Sequence, residues 1–158
     1  MLEQTVSKQS KSATLKEGNL HEKKLKLAKQ YGLKKEDLVD MLRNVYLSRR
    51  VDDTEISMKK QSKAFFQISG AGHEGILSAV ARTMKPKYDW FIPYYRDRAL
   101  CLGLGVTPYE MLCQANGNIG DTASHGRQMP AHWGNVKLNI VTKSSCTCLL
   151  YTSPSPRD

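Results

Sequence analysis

Gly70-Ala71-Gly72-His73-Glu74-Gly75, the run GAGHEG at residues 70–75, has the G-x-G-x-x-G spacing that marks a dinucleotide site when it follows a strand and opens a helix. The fold turns on whether that reading holds. A pyrophosphate at a helix N-terminus is stabilised by bare backbone N–H groups, whereas Glu74 sets a carboxylate among them. A dinucleotide site also wants an acidic residue at the end of the next strand, roughly 20 positions on. The nearest one, Asp89, begins a strand-like run instead. GAGHEG therefore reads as a tight turn whose Glu74 favours the positive end of the following helix. A nicotinamide-binding oxidoreductase built on this run is kept as an alternative, and His73 is left available to a site.

Outward from the turn, helices and strands alternate. Leu38, Met41, Leu42, Val45 and Tyr46 recur at helical spacing and predict a long amphipathic helix over about residues 36–60. AFFQIS (64–69) is a short apolar run ahead of the glycines. His73 to Met84 predicts a helix with Ile76, Leu77, Val80, Ala81 and Met84 inward. DWFIPYY (89–95) predicts a strand ended by Pro93, which has no N–H for a ladder. Thr107-Pro108-Tyr109-Glu110 has the form of a capping box, with proline at the first helical position, and that helix should stop at Asn116-Gly117. KLNIVT (137–142) predicts a second strand. The expected fold class is α/β, helices leading into an incomplete parallel sheet with active loops at strand ends.

Composition narrows the function. The chain has 158 residues, 40% of them hydrophobic, enough for a core. No run approaches the roughly 18 apolar residues of a membrane span, and the polar start carries no apolar signal core, so no membrane role and a cytoplasmic location are expected. The net charge is +9, and residues 1–50 hold 12 Lys and Arg against 6 Asp and Glu. In HEKKLKLAKQYGLKKED, Leu25, Ala28 and Tyr31 fall at helical spacing with lysines on the other face. This describes a solvated helix face better than a nucleic-acid surface, which would interleave charge with exposed aromatics. A non-catalytic basic binding module on residues 20–50 is the second alternative. Cys101, Cys113, Cys146 and Cys148 form no C-x-x-C pair, so structural zinc is not expected and the thiols read as reduced.

Three stretches look unlike scaffold. Tyr94-Tyr95-Arg96-Asp97 leaves a strand end with two phenols and a guanidinium, whose planar fork suits phosphate; a plain Arg96–Asp97 surface pair is the competing reading. GRQMPAHWG (126–134) sets Arg127, Gln128 and His132 between glycines, with Met129 and Trp133 placed to wall off water. Thr142-Lys143-Ser144-Ser145 offers hydroxyls and amides at a strand end, suited to an anion or a monovalent cation.

In this order and spacing the three stretches resemble the alpha subunit of the thiamine diphosphate-dependent 2-oxo acid dehydrogenases, the decarboxylating first component of those complexes. The resemblance runs from about residue 36 to Thr147, with GHEG, YYRDRAL and GRQMPAHWG its most specific parts. The Arg127-Gln128-Met129-Pro130-x-His132 form is closer to the branched-chain (2-oxoisovalerate) members than to the pyruvate members. The resemblance implies a thiamine diphosphate-binding fold, of which residues 20–147 are the N-terminal part. It also implies oxidative decarboxylation of a 2-oxo acid with acyl transfer to lipoamide. The cofactors implied are thiamine diphosphate, magnesium and potassium. The partners implied are a beta subunit or fused beta region, a lipoyl-bearing acyltransferase component and a 2-oxo acid substrate, within an oligomer. Carried over by position, Tyr95 and Arg96 hold the cofactor, with Arg96 on the diphosphate. His132 is the active-site histidine, Ser144 a potassium-site residue and Ser145 a diphosphate contact.

The resemblance has gaps. The family's Gly-Asp-Gly and Asn motif for magnesium is absent, and Cys148-Leu149-Leu150 stands where its potassium loop continues. CLLYTSPSPRD (148–158) resembles translated sequencing-adapter read-through. The expectation is thus an N-terminal fragment, inactive by itself, with a flexible leader at 1–19 and a non-native tail at 148–158.

Overall fold

The computed structural model describes residues 22–143. The expected leader, Ser144, Ser145 and the expected tail lie outside the described residues. Two compact units are present, Met1–Val39 and Asp40–Asp158. The described elements are helical: α1 (residues 22–30), α2 (Lys35–Lys60), α3 (Glu74–Thr83), α4 (Arg98–Leu104), α5 (Pro108–Ala115) and a 3-10 turn at Val136–Leu138. Among the described residues no helix is long and apolar enough to cross a membrane.

In the first unit α1 ends at Gly32, whose φ of +71° lets the Leu33 N–H return to Ala28 O at 3.0 Å. The lysines of α1 are exposed, and so are Leu25 and Tyr31, the latter 74% exposed. Asp37 then accepts the Lys34 N–H at 2.9 Å where α2 begins.

The second unit is built around α4. Arg98, Ala99, Leu100, Cys101, Leu102 and Leu104 are all buried, so this helix has no solvated face. Leu100, Cys101, Leu102 and Leu104 join Val51, Phe91, Met111, Trp133 and Ile140 in one core. Gly105, at φ +114°, closes α4 by donating to Cys101 O and Leu102 O. The capping box of α5 forms as its sequence requires: Thr107 accepts the Glu110 N–H, Glu110 accepts the Thr107 N–H, and Asn116 is the C-cap.

The inward faces of α2 and α3 differ from the apolar stripes expected. On α2 the buried residues are Ser48, Val51, Asp52 and Glu55, while Leu42 and Tyr46 are exposed. On α3 they are Glu74, Ser78 and Ala81, with Leu77 and Val80 half-buried and Ile76 exposed. The reason is what faces them: Asn44 donates to Ser78 Oγ and Ala99 O, and buried Arg98 draws two carboxylates inward.

The strands expected at 89–95 and 137–142 contract to one parallel bridge, Phe91 to Ile140. Phe91 N donates to Asn139 O at 3.0 Å and Val141 N donates to Phe91 O at 2.8 Å. Pro93 cannot continue the ladder on one side. On the other, the 3-10 turn and Asn139, at φ +56°, consume residues that would have paired. Beside the parallel bridge an antiparallel one joins Asn135 to Ile140, and among the described residues no strand of a sheet forms.

Candidate functional site

A cavity of about 480 Å³ is lined by Phe66, Ile68, Pro93, Tyr94, Tyr95, Met129, Pro130, Ala131, His132 and Lys143. It joins the tyrosine turn, the GRQMPAHWG loop and Lys143 of the third stretch. Its volume falls in the range of small-molecule sites.

The tyrosine turn is held at its base by Asp97. Its carboxylate accepts the Tyr94 N–H at 2.8 Å while its own N–H donates to Tyr94 O at 2.9 Å. Asp97 is thus spent on the turn and does not pair with Arg96, against the surface-pair reading. The rings of Tyr94 and Tyr95 lie 3.8 Å apart, and Tyr94 donates its hydroxyl to Tyr95 at 2.5 Å. Lys143 Nζ sits 5.3 Å from the Tyr94 ring centre and the Arg96 guanidinium 5.4 Å from that of Tyr95. Arg96 Nη1 donates to Ser69 O at 2.6 Å. Arg96 therefore lies behind Tyr95 and is not part of the cavity wall.

The His132 loop is anchored by Asp121. This fully buried carboxylate accepts Ala123 N at 2.9 Å, Ser124 N and Gly126 N at 3.1 Å, Ser124 Oγ at 2.6 Å and Gln114 Nε2 at 3.2 Å. Burial pushes its titration up. Hydrogen bonds from the Ser124 hydroxyl and the three N–H groups outweigh that and hold it below the usual carboxylate range. Ser124 Oγ passes the order on, accepting the N–H of Arg127 and Gln128.

Ala131, just before the histidine, is buried at φ +65°, a conformation that costs an L-residue about 1 kcal/mol. Gln114 Nε2 fixes the next peptide by donating to His132 O at 2.9 Å. His132 Nδ1 lies 3.0 Å from Met129 O and 3.3 Å from Pro130 O. A carbonyl only accepts, so Nδ1 carries the proton, and Nε2 of the neutral ring keeps its lone pair.

Of the residues expected from sequence, Tyr95 and His132 meet at the cavity, with Arg96 adjoining. Ser144 and Ser145 fall outside the described residues. Trp133 corrects the expectation that it walls off water beside Met129. It is 4% exposed and sits in the core with the Arg98 guanidinium 5.8 Å from its ring centre. The kink at Ala131 sends successive side chains to opposite sides of the loop. His73 is exposed and does not line the cavity. GAGHEG is a turn: Glu74 accepts the Gly72 N–H at 2.7 Å and pairs with Arg49 at 2.7 Å. A carboxylate of the chain already takes the amide a pyrophosphate would need, so the nicotinamide alternative is not favoured.

Sequence reasoning missed Phe66, Ile68 and the buried charges behind the site, and it singled out the stretch that holds Lys143 for its hydroxyls and amides without giving the lysine a role of its own. Arg98 pairs with Asp52 at 2.7 Å and with Glu55. Burial pushes Glu55 up to about 7 despite the pull of Arg98, since one guanidinium serves two carboxylates. The available signal was the failure of apolar periodicity at Asp52 and Glu55, beside Val51 on an otherwise regular helix.

Residues 42–152 match the Dehydrogenase E1 component family, and the chain belongs to it. It is similar to 2-oxoisovalerate dehydrogenase subunit alpha of Bacillus subtilis (strain 168), 35% identical over 114 residues that cover 72% of this chain and 34% of that protein. It is also similar to 2-oxoisovalerate dehydrogenase subunit alpha 1, mitochondrial, of Arabidopsis thaliana, 37% identical over 87 residues, 55% of this chain and 18% of that protein. The Caenorhabditis elegans mitochondrial subunit alpha is 33% identical over 87 residues, 55% and 20% of the two chains. The chain spans about a third of the length of the Bacillus subtilis relative and less of the others.

Proposed function

We propose that this chain supplies the cofactor-facing part of a thiamine diphosphate-dependent 2-oxo acid dehydrogenase that acts on a branched-chain acid such as 2-oxoisovalerate. Family membership and the names of its relatives support the reading. The observation that carries it is the meeting of Tyr95 and His132, distant in the chain, at one aromatic-walled cavity with Arg96 and Lys143 beside it.

The residues present fit the cofactor. Tyr94, Tyr95, Phe66, Ile68 and Met129 give an apolar wall for its rings, and Lys143 in the same lining is a cation suited to its diphosphate, with the Arg96 guanidinium against the Tyr95 ring as a second cation that would reach it past that ring's edge. When bound, thiamine diphosphate supplies the carbon nucleophile and the electron sink for loss of carbon dioxide. The chain's part is to orient and to exclude water. His132, with Nδ1 tied to the backbone, presents Nε2 to hold or move a proton, or, once protonated, to stabilise a carboxylate. Ser145 as a diphosphate contact, Ser144 as a potassium ligand and a bound magnesium complete the proposal. So do a parallel thiamine diphosphate-binding sheet, a beta partner, a lipoyl-bearing acyltransferase and a cytoplasmic location.

The test is a chimera in which these residues replace the matching 114 of the Bacillus subtilis subunit alpha, assembled with the rest of that enzyme. Reduction of an artificial electron acceptor should be faster with 2-oxoisovalerate than with pyruvate. A chimera that melts like the parent enzyme but turns over neither acid defeats the reading.

A further inference from the structure

The cavity wall at residues 66–69 has two sides. Phe66 and Ile68 line the cavity, while Gln67 and Ser69 turn away from it to one buried carboxylate. Gln67 Nε2 donates to Asp52 Oδ1 at 2.5 Å and Ser69 Oγ donates to Asp52 Oδ2. Side chains alternate across the segment as they would along a strand, although among the described residues no ladder holds it. Asp52, 4% exposed, tethers the segment through these two side chains.

The same carboxylate reaches the second side of the site. Ser69 O accepts Arg96 Nη1 at 2.6 Å, so Asp52, Ser69 and Arg96 form a chain ending at the guanidinium behind Tyr95. Arg98 Nη1 donates to Asp52 Oδ1 at 2.7 Å and lies over Trp133, the residue after His132. We propose that Asp52 is a positioning residue for the site, setting the place of Arg96 through Ser69 and holding the Phe66 and Ile68 wall through Gln67 and Ser69. The inference rests on the cofactor reading for its consequence: through Ser69 and Arg96, Asp52 acts on how the diphosphate of the ligand is held, and in Ser69→Ala the Gln67 bond still tethers the Phe66 and Ile68 wall that faces its rings.

The experiment uses the full chain with Ser69→Ala and Asp52→Asn, the first removing one hydroxyl and so sparing the buried ion pair. Without ligand, the side-chain Nε–Hε NMR signal of Arg96, assigned by its loss in Arg96→Gln, should shift in both variants. In calorimetric titration thiamine diphosphate should bind about tenfold more weakly to Ser69→Ala, the size expected for a displaced charge-assisted hydrogen bond, with thiamine changed less than about twofold. Adding Arg96→Gln should bring no further loss. An unmoved Arg96 signal in a folded Ser69→Ala chain overturns the proposal, as does equal weakening of thiamine and thiamine diphosphate. If the Arg96 signal shifts yet the wild-type chain takes neither ligand, the positioning stands and it is the cofactor reading that fails.

Discussion

His132 Nδ1 donates to the carbonyl oxygen of Met129 at 3.0 Å, three residues back in its own loop. Among the described residues the ring's hydrogen-bond partners are backbone carbonyls, Met129 O and Pro130 O, and they fix its orientation and tautomer. The bond to Met129 O also distinguishes the two ring nitrogens: Nδ1 holds the loop, and under the proposed function Nε2 is the one left for chemistry.

That separation is testable by substitution. Asparagine places an N–H donor near the position of Nδ1 and nothing at Nε2. In the chimeric enzyme, His132→Asn should keep thiamine diphosphate affinity within a few-fold while kcat falls between about a hundredfold and ten-thousandfold. An equal loss in His132→Asn and His132→Gln, with weakened cofactor binding in both, would mean that the ring only supports the loop.

Asp121 carries the loop, and its removal should be costly. Asp121→Ala strands the N–H groups of Ala123, Ser124 and Gly126 in a buried turn, a loss of about 3 kcal/mol in urea unfolding. Asp121→Asn keeps one acceptor and should lose about half as much. Two equally mild variants would show that the turn is held elsewhere.

Glu55 predicts an unusual dependence of stability on pH. Its carboxyl titrates at about 7 in the folded chain against an ordinary 4.5, because burial outweighs the attraction of Arg98 and nearby Asp52 opposes a second charge. Between those values the folded state holds a proton that the unfolded state has released. Stability therefore falls as pH rises through this window, by roughly 3 kcal/mol at most. Asp121 acts the other way, its low value withdrawing stability only as pH drops below the ordinary carboxylate range. Urea unfolding at about pH 5 and about pH 8 should show the fall, and Glu55→Gln should flatten it. A wild-type chain as stable at the higher pH as at the lower would rule the effect out.

Two glycines at positive φ should respond differently to alanine. Gly126, at φ +79°, lies against the backbone of Gly117, and an added Cβ would collide with the Gly117 carbonyl and come within 2.9 Å of Asn118 N. Gly72, at φ +91°, has open space around it. Gly126→Ala should cost about 3 kcal/mol and Gly72→Ala about 1, the strain alone. Thermal melts that rank the two in the opposite order would contradict the close approach of residues 117 and 126.

Several features of this protein were legible in the sequence because they are local. Thr107-Pro108-Tyr109-Glu110 caps α5 through atoms three residues apart, so the sequence contains the whole interaction. Glu74 in GAGHEG likewise signalled a turn that needs no ligand, and it bonds two residues back. The order of the YYRD and GRQMPAHWG stretches marked the residues that meet at the cavity, since their polar and aromatic make-up suits a site better than a core.

Tertiary structure decided what depends on distant partners. Whether DWFIPYY becomes a strand depends on neighbours to pair with, and among the described residues Pro93 and the turn at Val136–Leu138 leave it one bridge, to Ile140. Trp133 looked like a cavity wall beside His132, yet the left-handed turn at Ala131 sends it to Arg98 in the core. Asp52, where the apolar periodicity of its helix fails, is buried because Arg98, Gln67 and Ser69 converge on it from elsewhere in the chain, and the sequence does not name those partners. Sequence sets the bonds a residue can make with its neighbours. A buried charge is tolerable only where the fold assembles partners around it, and that assembly is visible only in three dimensions.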